Sequence, residues 1–109
     1  MTSTSEIQSL CDQIVELFHP EKVVLFGSHA YGQPQWDSDV DLLVVMPFEG
    51  HPLLKAAEIL TQVNPSIAID LLVRTPQQVQ ERLSIGDRFI QEIVSRGRTL
   101  HEAHNHRMD

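Results

Sequence analysis

Three aspartates interrupt two otherwise apolar segments of the chain. Asp39 and Asp41 lie at the start of the run 40–46, and Asp70 lies within the run 67–74. Side chains two residues apart in a strand point to the same face, so Asp39 and Asp41 lie side by side. Because neighbouring carboxylates repel each other, a bound cation is the simplest partner that keeps both ionised. Oxygen-only ligation favours Mg²⁺, with Mn²⁺ as the alternative.

Asp70 extends this hypothesis if its strand is the neighbour of the strand that carries Asp41. An isolated carboxylate in an apolar strand is costly and needs a partner. Three carboxylates at one point could hold two divalent ions. A simpler interpretation stays open for each acid. Asp39 and Asp41 could be a solvated turn acid with a chance neighbour, and Asp70 could accept a hydrogen bond from a nearby helix cap.

A glycine and a serine follow the short apolar run 22–26 directly. Glycine lets the backbone approach a ligand closely. A helix that starts at Ser28 would direct free N–H groups at an anion, and the Ser28 hydroxyl adds a donor. Gly27 and Ser28 therefore suit a phosphate, although such a pair can also be a simple turn.

Composition limits the partners of such a site. The chain has 109 residues with 8 Lys and Arg against 15 Asp and Glu, a formal charge of −7. A protein this acidic repels nucleic acid, so we expect no direct nucleic-acid binding. A phosphate must instead be held by a local device, such as a cation or backbone amides. A single cysteine excludes an intramolecular disulfide framework and a cysteine-based zinc module.

The chain contains no apolar run of about 18 residues, the length that spans a membrane, and its N-terminus does not resemble a signal peptide. We therefore expect no membrane association and a cytoplasmic location. The length is typical of one domain, so residues 1–109 are predicted to form a single domain with a flexible tail over 102–109.

Periodicity and turn signals predict the elements that position these residues. A first helix is expected to begin at a capping box of Ser5 and Gln8. Strands are predicted over 22–26, 40–46 and 67–74, with an edge strand over 98–101. A helix starting at Pro52 is expected to carry Leu53, Leu54, Ala57 and Leu60 on its apolar side, and two more helices are expected between Thr75 and a C-cap at Gly97.

This order predicts an α/β fold, in the α+β sense, with helices packed on a small sheet. The link between residues 26 and 40 is short for a parallel crossover. The sheet is therefore expected to be mixed.

The stretch 26–44 resembles the G-S-x₁₀-D-x-D motif of the polymerase-β-like nucleotidyltransferase superfamily. More narrowly, it resembles the minimal nucleotidyltransferases, the MNT-type antitoxins that are usually paired with a HEPN-domain protein. The sequence departs from the common pattern at Tyr31, where many relatives carry arginine. The resemblance implies a single minimal nucleotidyltransferase domain with the polymerase-β palm-like fold.

The resemblance also implies a role for each site residue. Gly27 and Ser28 would bind the triphosphate of the incoming nucleotide, most simply ATP. Asp39 and Asp41 would ligate two Mg²⁺ ions. Asp70 would ligate the catalytic ion and help to deprotonate the attacking hydroxyl. The expected reaction is Mg²⁺-dependent transfer of AMP to a hydroxyl.

Larger members of the superfamily carry a helical domain that holds the acceptor, and the length of this chain leaves no room for one. The resemblance therefore implies that a HEPN-domain partner protein presents the acceptor and that the chain is the antitoxin of a toxin–antitoxin pair. A homo-oligomer is a further expectation. Two alternatives remain: a non-catalytic module that neutralises its partner by contact, towards which Tyr31 points, and transfer to a small molecule.

Overall fold

A computed structural model describes residues 2–32, 34 and 38–103 of the protein. Helices and strands alternate along most of the chain. The helices are α1 (Thr4–Phe18), α2 (Ser28–Tyr31), α3 (Pro52–Val63), α4 (Pro76–Ser84) and α5 (Arg88–Arg96). The strands are β1 (Lys22–Phe26), β2 (Val40–Val45), β3 (Ile69–Arg74) and β4 (Arg98–Glu102).

The four strands form one sheet in the order β3-β2-β1-β4. Strand β1 is antiparallel to both β2 and β4, whereas β2 and β3 are parallel and are connected through α3. The sheet is therefore mixed, as the short link after β1 predicted. The expected α/β class, with helices packed on a small mixed sheet, is confirmed.

The C-terminal edge of the sheet extends beyond the predicted edge strand. Glu102 pairs with Lys22 as the last residue of β4. The backbone N–H of Ala103 then donates to the carbonyl of Glu21 at 2.8 Å. The predicted tail from residue 102 thus starts too early, because residues 102 and 103 are hydrogen-bonded to the rest of the chain. Residues 104–109 lie outside the described part.

The two faces of the sheet bury two different clusters. The face that carries Leu42 and Val44 packs under α1 and α3 in the larger cluster, where Cys11 is fully buried. Burial, together with the nearby charge of Asp12, raises the pKa of the Cys11 thiol to about 11. The opposite face packs on α4 and α5 through a smaller set, Val24, Leu43, Val45, Val79, Ile90 and Ile93.

Two sequence predictions about helices are wrong in detail. The capping box of α1 is formed by Ser3 and Glu6, not by Ser5 and Gln8. The side that α3 buries is Ala56, Ile59 and Val63, whereas Leu53 and Leu54 are more than two-thirds exposed and Ala57 is also exposed. Apolar residues extend well beyond the buried side of α3, so periodicity did not identify the side that packs on the sheet.

The other helix limits agree with the predictions. Thr75 caps α4 through a capping box with Gln78, and Pro76 occupies the first turn. Gly97 ends α5 as its C-cap, although with an extended backbone instead of a left-handed one. Within the described residues, no helix combines the length and the apolar character needed to cross a bilayer.

Candidate active site

Two of the predicted acids lie side by side in the sheet. The strands β2 and β3 are parallel, and Asp41 of β2 is in direct register with Asp70 of β3. Residues in register on adjacent strands share a face, so the two carboxylates are on the same side of the sheet. That side is the one covered by α4 and α5. On the other side of Asp41, its register partner on β1 is Phe26.

The third acid precedes β2. Asp39 is exposed and lies two residues before Asp41. The loop that carries Asp39 is tied to α2, because the Nε2–H of His29 donates to the carbonyl of Ser38 at 3.3 Å. Through this bond, α2 and the start of β2 hold each other in place.

Gly27 lies directly against the Asp41 carboxylate. Its φ of +74° is one that L side chains rarely adopt. A Cβ built on Gly27 would overlap the Oδ2 atom of Asp41. The absence of a side chain here therefore allows the turn between β1 and α2 to pack directly against the carboxylate, which occupies the position that a Cβ would take. Ser28, the first residue of α2, is half-buried beside it.

The carboxylates of this cluster repel one another. Burial raises the pKa of Asp41 above its ordinary value, and the negative charges of Asp70 and then Asp39 raise it further, whereas His29 lowers it. Like charges at short range disfavour the ionised form. A cation bound between these groups would remove that repulsion.

A cleft opens in front of the paired aspartates. Its volume is about 390 Å³, and its lining combines three carboxylates with three aromatic rings. The cleft is lined by Phe26, Gly27, Tyr31, Asp41, Asp70, Leu72, Phe89, Glu92 and Ile93. A larger groove of about 560 Å³ involves Val24, Leu43 and Val79 on the same face of the sheet. We place the site in the smaller cleft because it contains the paired carboxylates.

The structure thus brings Gly27, Asp41 and Asp70 to one cleft, with Ser28 and Asp39 adjacent to them in sequence but outside its lining. Asp41 and Asp70 offer the oxygen donors that Mg²⁺ prefers, and Gly27 lines the same cleft. Across residues 2–32, 34 and 38–103, no three acidic, histidine or cysteine side chains form a preassembled metal cluster. The full ligand set, with Asp39 as a third donor, stays a prediction.

Sequence reasoning missed the part of the site that α5 contributes. Glu92 and Ile93 line the cleft from α5, and Phe89 makes an edge-to-face contact with Phe26, with ring centroids 5.8 Å apart. The apolar pattern of α5 predicted a helix that packs on the sheet, but it did not show which strand ends the helix covers. The spacing of Glu92 and Arg96 is typical of an ion pair on a helix and was the available signal.

Comparison with known proteins agrees with this geometry. Residues 7–98 match the family model described as a nucleotidyltransferase domain. The match covers most of the chain, so the protein belongs to the nucleotidyltransferase-domain family. None of the curated proteins matches this sequence.

Two solved structures share the fold. One is a protein assigned as a nucleotidyltransferase from Sulfolobus solfataricus, with 19% identity over 71% of this chain and 70% of that one and a TM-score of 0.57. The other is a mutant of the toxin–antitoxin pair MntA–HpeT, with 14% identity over 88% of this chain and 73% of that one and a TM-score of 0.53. At these identities the likeness establishes the fold.

Proposed function

We propose that this chain is a minimal nucleotidyltransferase, a single domain over residues 1–109, which transfers AMP from ATP to a hydroxyl of a partner protein. The observation that carries the proposal is the in-register pair of Asp41 and Asp70, which line one cleft together with Gly27. The family match supports the reaction class. The resemblance to a toxin–antitoxin structure supports the partner, for which we propose a HEPN-domain protein that this chain neutralises.

Each residue of the site has a proposed role in binding the metal or the nucleotide. Asp41, Asp70 and Asp39 would hold Mg²⁺. The positive charge of the metal would allow this acidic protein to bind the anionic triphosphate. Gly27 and Ser28 would bind the phosphates through the backbone of the turn and the Ser28 hydroxyl. The apolar side chains that line the cleft would keep water from the reacting phosphate.

The proposed reaction is an in-line displacement at the α-phosphorus of ATP. The acceptor oxygen forms a bond to this phosphorus while the bond to the bridging oxygen breaks and pyrophosphate leaves. The proton of the acceptor hydroxyl passes to the carboxylate of Asp70, which lies in the cleft. A carboxylate can do this when it is within hydrogen-bond reach of the hydroxyl.

The test is to incubate the chain with ATP, Mg²⁺ and a HEPN-domain protein encoded by the neighbouring gene, and to weigh the partner by mass spectrometry. The proposal expects the mass of one or more AMP groups, lost in Asp41→Asn and Asp70→Asn. Asp12→Asn is the matched control, because Asp12 lies on α1 and is hydrogen-bonded to Gln8. Unmodified partner, or full modification by Asp41→Asn, would exclude the enzyme.

The alternative is that the chain neutralises its partner by contact alone. Tyr31, in place of the arginine of many relatives, is the feature that favours it. Under this alternative, neutralisation survives removal of Asp39, Asp41 and Asp70 together. Calorimetry separates the two functions, since a Mg²⁺-dependent ATP signal is expected only from the enzyme.

A further inference from the structure

A positively charged side chain lies at the rim of the acidic cleft. The guanidinium carbon of Arg96, in the last turn of α5, is 4.4 Å from the centroid of the Tyr31 ring. Its Nη1 also donates to Oε2 of Glu92 at 2.9 Å. Tyr31 and Glu92 both line the cleft. Arg96 therefore contacts the lining of the cleft from two elements, α2 and α5.

The other cations with defined contacts are engaged elsewhere. Lys55 pairs with Glu58 on α3, and Arg82 pairs with Asp87 between α4 and α5. Arg74 donates to the carbonyl of Val73. Among the hydrogen bonds, ion pairs and ring contacts of Lys and Arg within the described ranges, only those of Arg96 reach the cleft.

The geometry of Arg96 leaves its donors accessible to a ligand. A guanidinium that stacks on a ring uses its face, whereas its five N–H groups lie in its plane. The bond to Glu92 uses one of them, and the Arg96 side chain is 60% exposed. The planar fork of a guanidinium matches the oxygens of a phosphate and can bind two of them at once.

The charge of the cleft makes such a donor necessary for an anionic ligand. Asp41, Asp70 and Glu92 give the cleft three carboxylates. Together with these carboxylates, a nucleoside triphosphate carries more negative charge than even two divalent ions neutralise. Arg96 is placed to neutralise part of the remainder.

We propose that Arg96 binds the phosphates of the nucleoside triphosphate, and that Tyr31 and Glu92 hold its guanidinium at the cleft until the nucleotide arrives. This inference builds on the proposed function. Binding exchanges the Glu92 carboxylate for a phosphate oxygen, while the Tyr31 ring continues to support the guanidinium. Glu92 thus competes with the nucleotide for the same donors.

Because of this competition, the inference predicts that two substitutions change the affinity for ATP in opposite directions. Arg96→Gln is expected to weaken ATP binding in the presence of Mg²⁺ about tenfold, the effect of losing a charge-assisted hydrogen bond. Glu92→Gln is expected to strengthen ATP binding about two- to threefold, since it frees Arg96 and removes a negative charge. Calorimetry with ATP on the full chain measures both.

A purely structural role of Arg96 predicts a different pattern. Arg96→Gln and Glu92→Gln break the same ion pair, so they would then change ATP affinity in the same direction. Arg82→Gln is the matched control, because it also breaks one exposed ion pair at α5, and it should bind ATP as the parent chain does. Thermal unfolding confirms that each variant is folded, and Arg96→Lys, which keeps the charge without the fork, should lie between parent and Arg96→Gln.

The outcomes separate this inference from the proposed function. If the parent chain binds ATP with Mg²⁺ and Arg96→Gln binds it equally well, or if Glu92→Gln weakens binding as much as Arg96→Gln, the inference is wrong and the proposed function stands. If the parent chain does not bind ATP, the proposed function fails and this inference fails with it.

Discussion

Gly27 and Asp41 are in direct contact, and the position of the Asp41 carboxylate leaves no room for a side chain at residue 27. The positive-φ backbone of Gly27 turns the chain from β1 into α2 at the point where a side chain would overlap the Asp41 carboxylate. A substitution here therefore combines backbone strain with steric overlap. Gly32 has a φ of +88° and open space around it, so a substitution there introduces backbone strain without steric overlap.

Gly27→Ala is expected to abolish measurable ATP binding and to lower the free energy of unfolding by about 1–3 kcal/mol, the usual cost of a strained backbone position. Gly32→Ala should lower the free energy of unfolding by a similar strain term and retain ATP binding. Urea unfolding and calorimetry check the pair. Retained ATP binding in Gly27→Ala would show that the space at Asp41 does not serve the nucleotide.

The raised pKa of Asp41 has a consequence for stability. Between its unfolded and folded pKa values, native Asp41 retains a proton that the unfolded chain has lost. The free energy of unfolding therefore falls as pH rises through this interval, and the full cost is present above it. Asp41→Asn removes the charge that causes the cost.

We therefore expect Asp41→Asn to match the parent chain in acid and to be more stable at about pH 7. Urea unfolding at both pH values in the absence of divalent ions measures this. The control Asp12→Asn changes an exposed acid on α1 and should not become more stable than the parent chain at neutral pH. An Asp41→Asn variant that is less stable than the parent at neutral pH would contradict the burial and charge repulsion described for Asp41.

At the scale of elements, α5 links the core to the site. Its buried side, Ile90 and Ile93, packs on the sheet, and the same helix presents Phe89 and Glu92 to the cleft. The end of α5 is held close to β1 at Gly97. A Cβ there would overlap the carbonyl of Ile93 and lie 2.6 Å from a methyl carbon of Val24.

Gly97→Ala is expected to displace the end of α5 from β1 and to cost about 1–3 kcal/mol, as in other overpacked sites. Because Arg96 precedes Gly97, ATP affinity should fall as well. Gly86→Ala is the useful comparison, since Gly86 has a φ of +79° but no neighbour within 4 Å. It should lose stability through strain and keep its ATP affinity. Equal ATP affinity in the two variants would show that the position of α5 does not affect the site.

At the scale of the whole molecule, the acidic surface opposes the arrival of an anionic substrate. The formal charge is −7, and the radius of gyration is 13.7 Å. The Debye length falls from about 30 Å at 0.01 M salt to about 8 Å at 0.15 M. The repulsion therefore extends beyond the molecule at low salt and is largely screened at physiological salt.

The association rate of Mg²⁺-loaded ATP is thus expected to increase with salt, by a few-fold over this range, in contrast to the decrease typical of basic nucleotide-binding proteins. Stopped-flow measurements with a fluorescent ATP analogue check the rate. Mg²⁺ is kept in excess throughout so that its own screening by salt does not limit binding. A rate that falls as salt rises would show that a local positive field, such as that of Arg96, dominates the encounter.

Much of the local architecture follows from the sequence alone. The apolar β-branched runs predicted three strands with nearly correct limits, and Thr75, Pro76 and Gln78 predicted the start of α4, because capping and turn chemistry act between residues that are close along the chain. The G-S-x₁₀-D-x-D spacing likewise identified Gly27 and Asp41 as candidates. Predictions from local sequence were wrong where two capping patterns were equally good, as with Ser3 and Ser5 at the start of α1.

Only the tertiary structure decided which groups meet. The register that pairs Asp41 with Asp70 depends on how β2 and β3 dock, and the side of α3 that is buried depends on its packing against the sheet. The contact of Arg96 with Tyr31 joins two helices far apart in the chain. Local patterns specify periodicity and turns, whereas register and packing follow from burial of apolar surface, which is non-directional and becomes specific only when all elements pack together.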